Sequence, residues 1–143
     1  MRQAPVDPER FGWQVRVYYE DTDAAGIVYY ANYLRFMERA RAEWLRHIGW
    51  DQTRLKDRHG VLFAVRRAEL RYLHPARLDD VLVVTSDVEK TSRTSIDFSQ
   101  RVARTQDAVV CCRGTINVAC IDAERMRPAR IPDALIQAMA NTC

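Results

Sequence analysis

The sequence predicts an α+β domain, in which an antiparallel sheet packs against one long helix. Three observations carry this. The hydrophobic period is that of a strand over residues 11–20, becomes that of a helix over residues 31–48, and then returns to strand-like runs that follow one another without helices between them. In residues 11–20 Phe11, Trp13, Val15, Val17 and Tyr19 alternate with Gly12, Gln14, Arg16 and Glu20, the pattern of a half-buried strand. Between residues 31 and 48, Tyr33, Met37, Ala40, Trp44 and Ile48 recur at steps of four and three. Leu34, Phe36 and Leu45 widen that stripe, Arg35, Arg39, Arg41 and Glu43 take the other face, and Gly49 is placed to end the helix.

A short helical stretch over 51–58 leads to strands predicted at 61–73, 80–89, 94–104 and 108–121. Pro75, Asp79-Asp80, Ser92 and Gln106-Asp107 supply turn chemistry at the joints. Pro128 and Pro132 close the sheet region, and Pro132 suits the first turn of a terminal helix running through Met139. No repeat, linker or low-complexity segment divides the chain, so residues 1–143 are expected to form a single domain. A sheet wrapped on one helix leaves an edge and a face to cover, which argues against a monomer.

Composition narrows the function. Lys and Arg number 22 against 19 Asp and Glu, a net charge of +3, too mild for nucleic acid without a basic run but compatible with a phosphate-bearing ligand. The apolar runs fall far short of the roughly twenty residues a membrane span needs, and no signal-like segment follows Met1, so a cytoplasmic location is expected. Cys111, Cys112, Cys120 and Cys143 form no C-x-x-C pair, and His47, His59 and His74 are scattered, so free thiols and no metal are expected. Neighbouring strand residues point to opposite faces, which would divide Cys111 and Cys112 between core and surface.

The chemistry concentrates in E-D-T-D-A-A-G-I-V-Y, residues 20–29, where a strand meets carboxylates, a glycine turn and a helix start. A helix N-terminus offers unpaired N–H groups to a developing oxyanion. Read alone, D-T-D is more simply a cap or an Asx turn. The wider signature, V-Y-Y-E-D-T-D-A-A-G-I-V-Y-Y-A-N-Y over 17–33 continued by L-R-F-M-E-R-A-R through 41, resembles that of hotdog-fold acyl-CoA thioesterases. Y-L-H-P-A-R-L-D-D over 72–80, R-T-S over 93–95, F-S-Q-R-V over 98–102 and R-P-A-R-I-P over 127–132 extend the match in order. The resemblance is to the 4-hydroxybenzoyl-CoA thioesterase family, and more closely to its Tol-Pal-associated subgroup.

That resemblance implies a hotdog fold and hydrolysis of acyl-CoA without a cofactor. It also implies a homodimer or homotetramer with active sites between subunits, acyl carrier protein as a further thioester donor, and a peripheral place at the inner membrane. It makes Asp23 the nucleophile or general base, Gly26 the glycine that lets backbone approach the thioester, and the Tyr30 amide the carbonyl-polarising donor. The subgroup typically has His at position 30, whereas the 4-hydroxybenzoyl type has Tyr. Arg93, Thr94 and Ser95 match the contacts to CoA phosphate, for which guanidinium and hydroxyl groups are suited. Asp21 reads as structural, Asn32 and Tyr33 as capping and packing the first helical turn, and Glu38 as a structural or supporting acid, since no histidine precedes this helix to make a dehydratase pair. For Arg66, Arg67, Arg71 and Arg77 a solvated strand face is the simpler reading.

Two other classes fit parts of the pattern. Asp21-x-Asp23 after a strand mimics a haloacid dehalogenase-type phosphatase, which requires a parallel sheet and Mg²⁺-binding acids. A non-catalytic acyl-CoA or acyl-carrier-protein binding module of the cell envelope would use the same pocket without turnover.

Overall fold

The computed structural model describes residues 11–141. Cys143 lies outside that range. The elements in order are β1 (Gly12–Arg16), a 3₁₀ turn (Tyr19–Asp21), α1 (Asn32–His47), α2 (Gln52–His59), β2 (Val61–Tyr72), β3 (Val81–Thr91), β4 (Ser95–Arg104), β5 (Val110–Asp122) and α3 (Asp133–Asn141). The strands form one sheet in the order β1-β3-β4-β5-β2, every neighbouring pair antiparallel. This is the predicted α+β arrangement, with one long helix against an antiparallel sheet. It also removes the phosphatase reading, which needs parallel strands and crossover helices. No helix among the described residues is long and apolar enough to cross a membrane.

The first strand is shorter than its alternating pattern, because the chain leaves the sheet after Arg16 to enter the 3₁₀ turn. Tyr33, Phe36, Met37, Ala40, Trp44 and Leu45 of α1 are buried against the sheet, where Leu82, Val84, Phe98, Val102 and Ile116 are also buried. Trp44 meets Phe98 edge-on at 5.1 Å between ring centroids. Gly114 makes this close approach possible, since a Cβ there would stand 3.0 Å from the side chain of Met37.

The sequence reading needs correction at four further places. Leu34, assigned to the apolar stripe, is exposed. Arg41, assigned to the wet face, turns inward, where its Nη1 donates to Gln100 Oε1 at 2.9 Å. Gln100 is fully buried, and its Nε2 donates to the Met37 carbonyl and to Ser86 Oγ, so its oxygen is left facing Arg41. Burial pushes the Arg41 pKa down, and the charge of Glu38 opposes that shift. Cys111 and Cys112 do not divide between core and surface; both are fully buried. Val102 pairs with Cys112 but Ala103 with Val110, so Cys111 is the extra residue of a β-bulge and the alternation breaks there. Asn32 does not cap α1; the N-cap is Ala31, and Asn32 is its first helical residue.

β1 and β2 are the edges of the sheet. Along β2, residues 65–69 are exposed, and Arg66, Arg67 and Arg71 lie on a solvated surface as the simpler reading had them. An exposed edge of this length invites pairing with another chain.

Candidate active site

Between β1 and α1 the chain makes a small hairpin. Thr22 bridges Val28, the Asp23 N–H donates to the Ile27 carbonyl at 2.9 Å, and the Gly26 N–H closes the turn on the Asp23 carbonyl at 3.0 Å. Gly26 has φ +78°, a left-handed conformation that favours glycine, and a Cβ there would meet nothing within 4 Å. In a single chain its demand is therefore conformational, with open space on its side-chain side. Asp23 Oδ1 accepts the Ala25 N–H at 2.8 Å, an Asx contact, while Oδ2 has no partner among the described residues. The carboxylate is exposed.

Asp21, two residues away, is used differently. It is buried, Oδ2 accepts the Tyr18 N–H at 2.8 Å, and Oδ1 accepts the Asn32 side-chain amide at 2.8 Å. Its carbonyl takes the Tyr29 N–H. Asp21 thus fastens the hairpin to the first turn of α1, and Asp23 holds at the tip an oxygen that no described residue engages.

Tyr30 stands just before the N-cap, in a turn closed by the Asn32 N–H on the Tyr29 carbonyl at 2.8 Å. Its own N–H has no partner among the described residues, and its carbonyl accepts the Tyr72 hydroxyl at 3.1 Å. The side chain is 61% exposed, packing beside Tyr29 and edge-on to Tyr72. Tyr33 is buried beneath, and desolvation pushes its phenol up to about 12. One hairpin and one helix start therefore present, at the same end of the sheet, a carboxylate oxygen and a backbone donor that no described residue engages.

Arg93, Thr94 and Ser95 are not brought to that end. Arg93 and Thr94 lie in the β3–β4 turn and Ser95 opens β4, whereas Asp23 sits by the loop that enters β3: Ile27 bridges Arg77 and Val28 N–H bonds the Ala76 carbonyl. The 11 residues of β3 separate the two places, roughly 35 Å for a straight strand. In the turn, Arg93 is exposed, its carbonyl takes the Ile131 N–H, and the Thr94 carbonyl takes the Cys120 N–H. The Ser95 hydroxyl is engaged by Ser92 at 2.8 Å.

A feature that sequence reasoning missed lies on the seam between α1 and β2. A cleft of about 300 Å³ is lined by Trp44, Leu45, Phe63, Ile96, Phe98 and Leu135, with Glu38 and Arg41 on its wall. Tyr30 and Tyr72 occupy the same seam further up, Glu38 lying six residues or about 9 Å of helix beyond Asn32, where α1 begins. The pattern gave its apolar residues as core, because a helix stripe does not reveal where the sheet fails to meet it. A larger hollow of about 460 Å³ between α1 and α2 is bounded by Asp51, Arg54, Asp57 and Arg58, at the end of α1 away from Asp23.

Over residues 17–139 the chain matches the thioesterase-like superfamily. The chain belongs to that superfamily. Among its relatives, the acyl-CoA thioester hydrolase YbgC of Escherichia coli O6:H1 is 40% identical over 126 residues, which are 88% of this chain and 92% of that protein. The acyl-CoA thioesterase YbgC of Haemophilus influenzae is 41% identical over 122 residues, 85% of this chain and 88% of that one. The crystal structure of a probable thioesterase from Bartonella henselae superposes with a TM-score of 0.80 at 31% identity, covering 86% of this chain and 99% of the other. The expected hotdog fold is thereby established for this member of the thioesterase-like superfamily.

Proposed function

We propose that this chain is an acyl-CoA thioesterase, a single hotdog domain over residues 1–143 that hydrolyses acyl-CoA to the free acid and CoA. Membership of the superfamily and two relatives named as acyl-CoA thioester hydrolases support the activity. The observation that carries the assignment of residues is that an Asp23 oxygen and the Tyr30 N–H both lack a partner among the described residues.

In this reading the thioester carbonyl oxygen accepts the Tyr30 N–H, which stabilises negative charge as the tetrahedral intermediate forms. Asp23 either attacks the carbonyl carbon, expelling CoA thiolate and leaving an anhydride that water hydrolyses, or takes a proton from the water that attacks. The thiolate needs little help as a leaving group. Gly26 keeps the turn tight and low beneath the thioester. The acyl group runs down the α1–β2 seam into the cleft walled by Trp44 and Phe98.

The CoA portion meets Arg93, Thr94 and Ser95 of a second copy, because the same chain holds them at the far end of β3. That requirement supports a homodimer or a homotetramer, with the β2 edge available for pairing. A cytoplasmic protein lying peripherally at the inner membrane, linked to the Tol-Pal envelope system and also using acyl carrier protein thioesters, completes the reading. A thiol-release assay with acyl-CoA of increasing chain length tests it. Release with saturation supports an enzyme, whereas tight acyl-CoA binding without release points to the non-catalytic binding module instead.

A further inference from the structure

The Asp23 hairpin leans on the loop between β2 and β3, and that loop has an external strut. Arg104, the last residue of β4, grips Asp107 with a fork: Nε lies 3.1 and 3.2 Å from the two carboxylate oxygens, and Nη2 lies 3.0 Å from Oδ2. Asp107 Oδ1 also accepts the Val109 N–H at 3.1 Å, which fixes the carboxylate on its own turn. With the guanidinium plane set in this way, Nη1 donates to the Pro75 carbonyl at 2.9 Å. Proline has no N–H, so its carbonyl is the one backbone handle by which that residue can be held.

The next residue transmits the hold. Ala76 is fully buried; its N–H donates to Tyr33 Oη at 3.3 Å and its carbonyl accepts the Val28 N–H at 2.8 Å. Arg77 then bridges Ile27, whose carbonyl accepts the Asp23 N–H at 2.9 Å. Asp21 and Asn32 anchor the hairpin to α1 from one side, and this chain of bonds supports it from the other. The pair is half-buried and spans only three residues, so it ties together little of the fold by itself. Its geometry, aimed at a loop that carries the catalytic turn, gives it a different use.

We propose that Arg104, oriented by Asp107, and Tyr33 are positioning residues that set the height of the Asp23 turn against the Tyr30 N–H; this rests on the reading of Asp23 as the catalytic carboxylate. A displacement of about 1 Å at a reacting group can cost on the order of a hundredfold in rate, whereas substrate binding made elsewhere is untouched. The test is steady-state kinetics of Arg104→Gln in the full chain, with amide hydrogen exchange on the same protein. The expected result is kcat lowered about tenfold or more, KM within about twofold, faster exchange at Val28 and Asp23, and unchanged exchange in α1. Arg104→Lys, which keeps the charge but not the fork, should recover kcat only in part. Should Arg104→Gln fail to fold, Asp107→Asn releases the fork while leaving the guanidinium and is read by the same criteria. A folded Arg104→Gln with wild-type kcat, beside a wild-type protein that turns over, overturns the clamp alone. A wild-type protein without turnover removes the thioesterase reading and the clamp with it.

Discussion

The side-chain amide of Asn32 donates to Oδ1 of Asp21 at 2.8 Å, joining the acidic turn to the first residue of the long helix across a buried contact. Asp21→Ala leaves the Tyr18 N–H and the Asn32 amide without acceptors. Unfolding in urea should show a loss of about 1–3 kcal/mol. Asp21→Asn should cost less, because the Asn32 amide can turn to present its oxygen, and its effect on turnover should be small beside that of Asp23→Asn. A variant as stable as wild type after Asp21→Ala would show that the contact holds nothing.

Tyr30 is expected to act through its backbone. Its N–H is unpaired among the described residues while its side chain is 61% exposed, so Tyr30→Phe should keep most of the turnover. Tyr30→Pro removes the N–H and should lower kcat by about a hundredfold, the size of effect seen when one oxyanion donor is lost. Collapse of kcat in well-folded Tyr30→Phe would assign the work to the hydroxyl instead.

Most of the fold is legible in the sequence because each element has a single strong period, and the boundaries of α1, β2, β3, β4 and β5 fall within a few residues of the pattern. The failures are local and physical. The bulge that buries both Cys111 and Cys112 depends on the register against β4, which no period within β5 encodes. Arg41 is drawn in by Gln100, a residue far along the chain. The Asp23–Gly26–Tyr30 cluster is legible because a hairpin and a helix start are contiguous in sequence. The relation of Asp23 to Arg93 is not, since it depends on which end of a sheet each turn occupies.

That relation carries its own prediction. Arg93→Ala should raise KM for acyl-CoA by the loss of one charge-assisted contact, about 1–3 kcal/mol, with kcat little changed and hydrolysis of a thioester lacking the nucleotide unaffected. Because Asp23 and Arg93 lie at opposite ends of β3, mixed oligomers of Asp23→Asn and Arg93→Ala chains should regain sites with wild-type KM. Failure to regain them, with KM raised in Arg93→Ala, would contradict the supply of Arg93 by a second copy.

Buried acids set an alkaline limit to stability. Desolvation pushes the Cys112 thiol up to about 12 from an ordinary 9.0, Cys120 to about 11, and Tyr33 to about 12 from 10.0. Above pH 9 the unfolded chain releases protons that the folded chain keeps. The stabilisation is therefore full below pH 9 and is lost progressively toward pH 12. The melting temperature should fall across that window, less steeply in Cys112→Ala. A flat profile from pH 8 to 11 would contradict the burial of these groups.

The central claim is that Asp23 performs the chemistry, and kcat of Asp23→Asn measured by thiol release from acyl-CoA tests it most directly. The amide is neither a nucleophile nor a useful base, so a folded variant of unchanged oligomeric state should lose on the order of a hundredfold or more in kcat with little change in acyl-CoA affinity. Turnover within a few-fold of wild type in that folded variant would contradict the claim and return D-T-D to an Asx turn at a helix entrance.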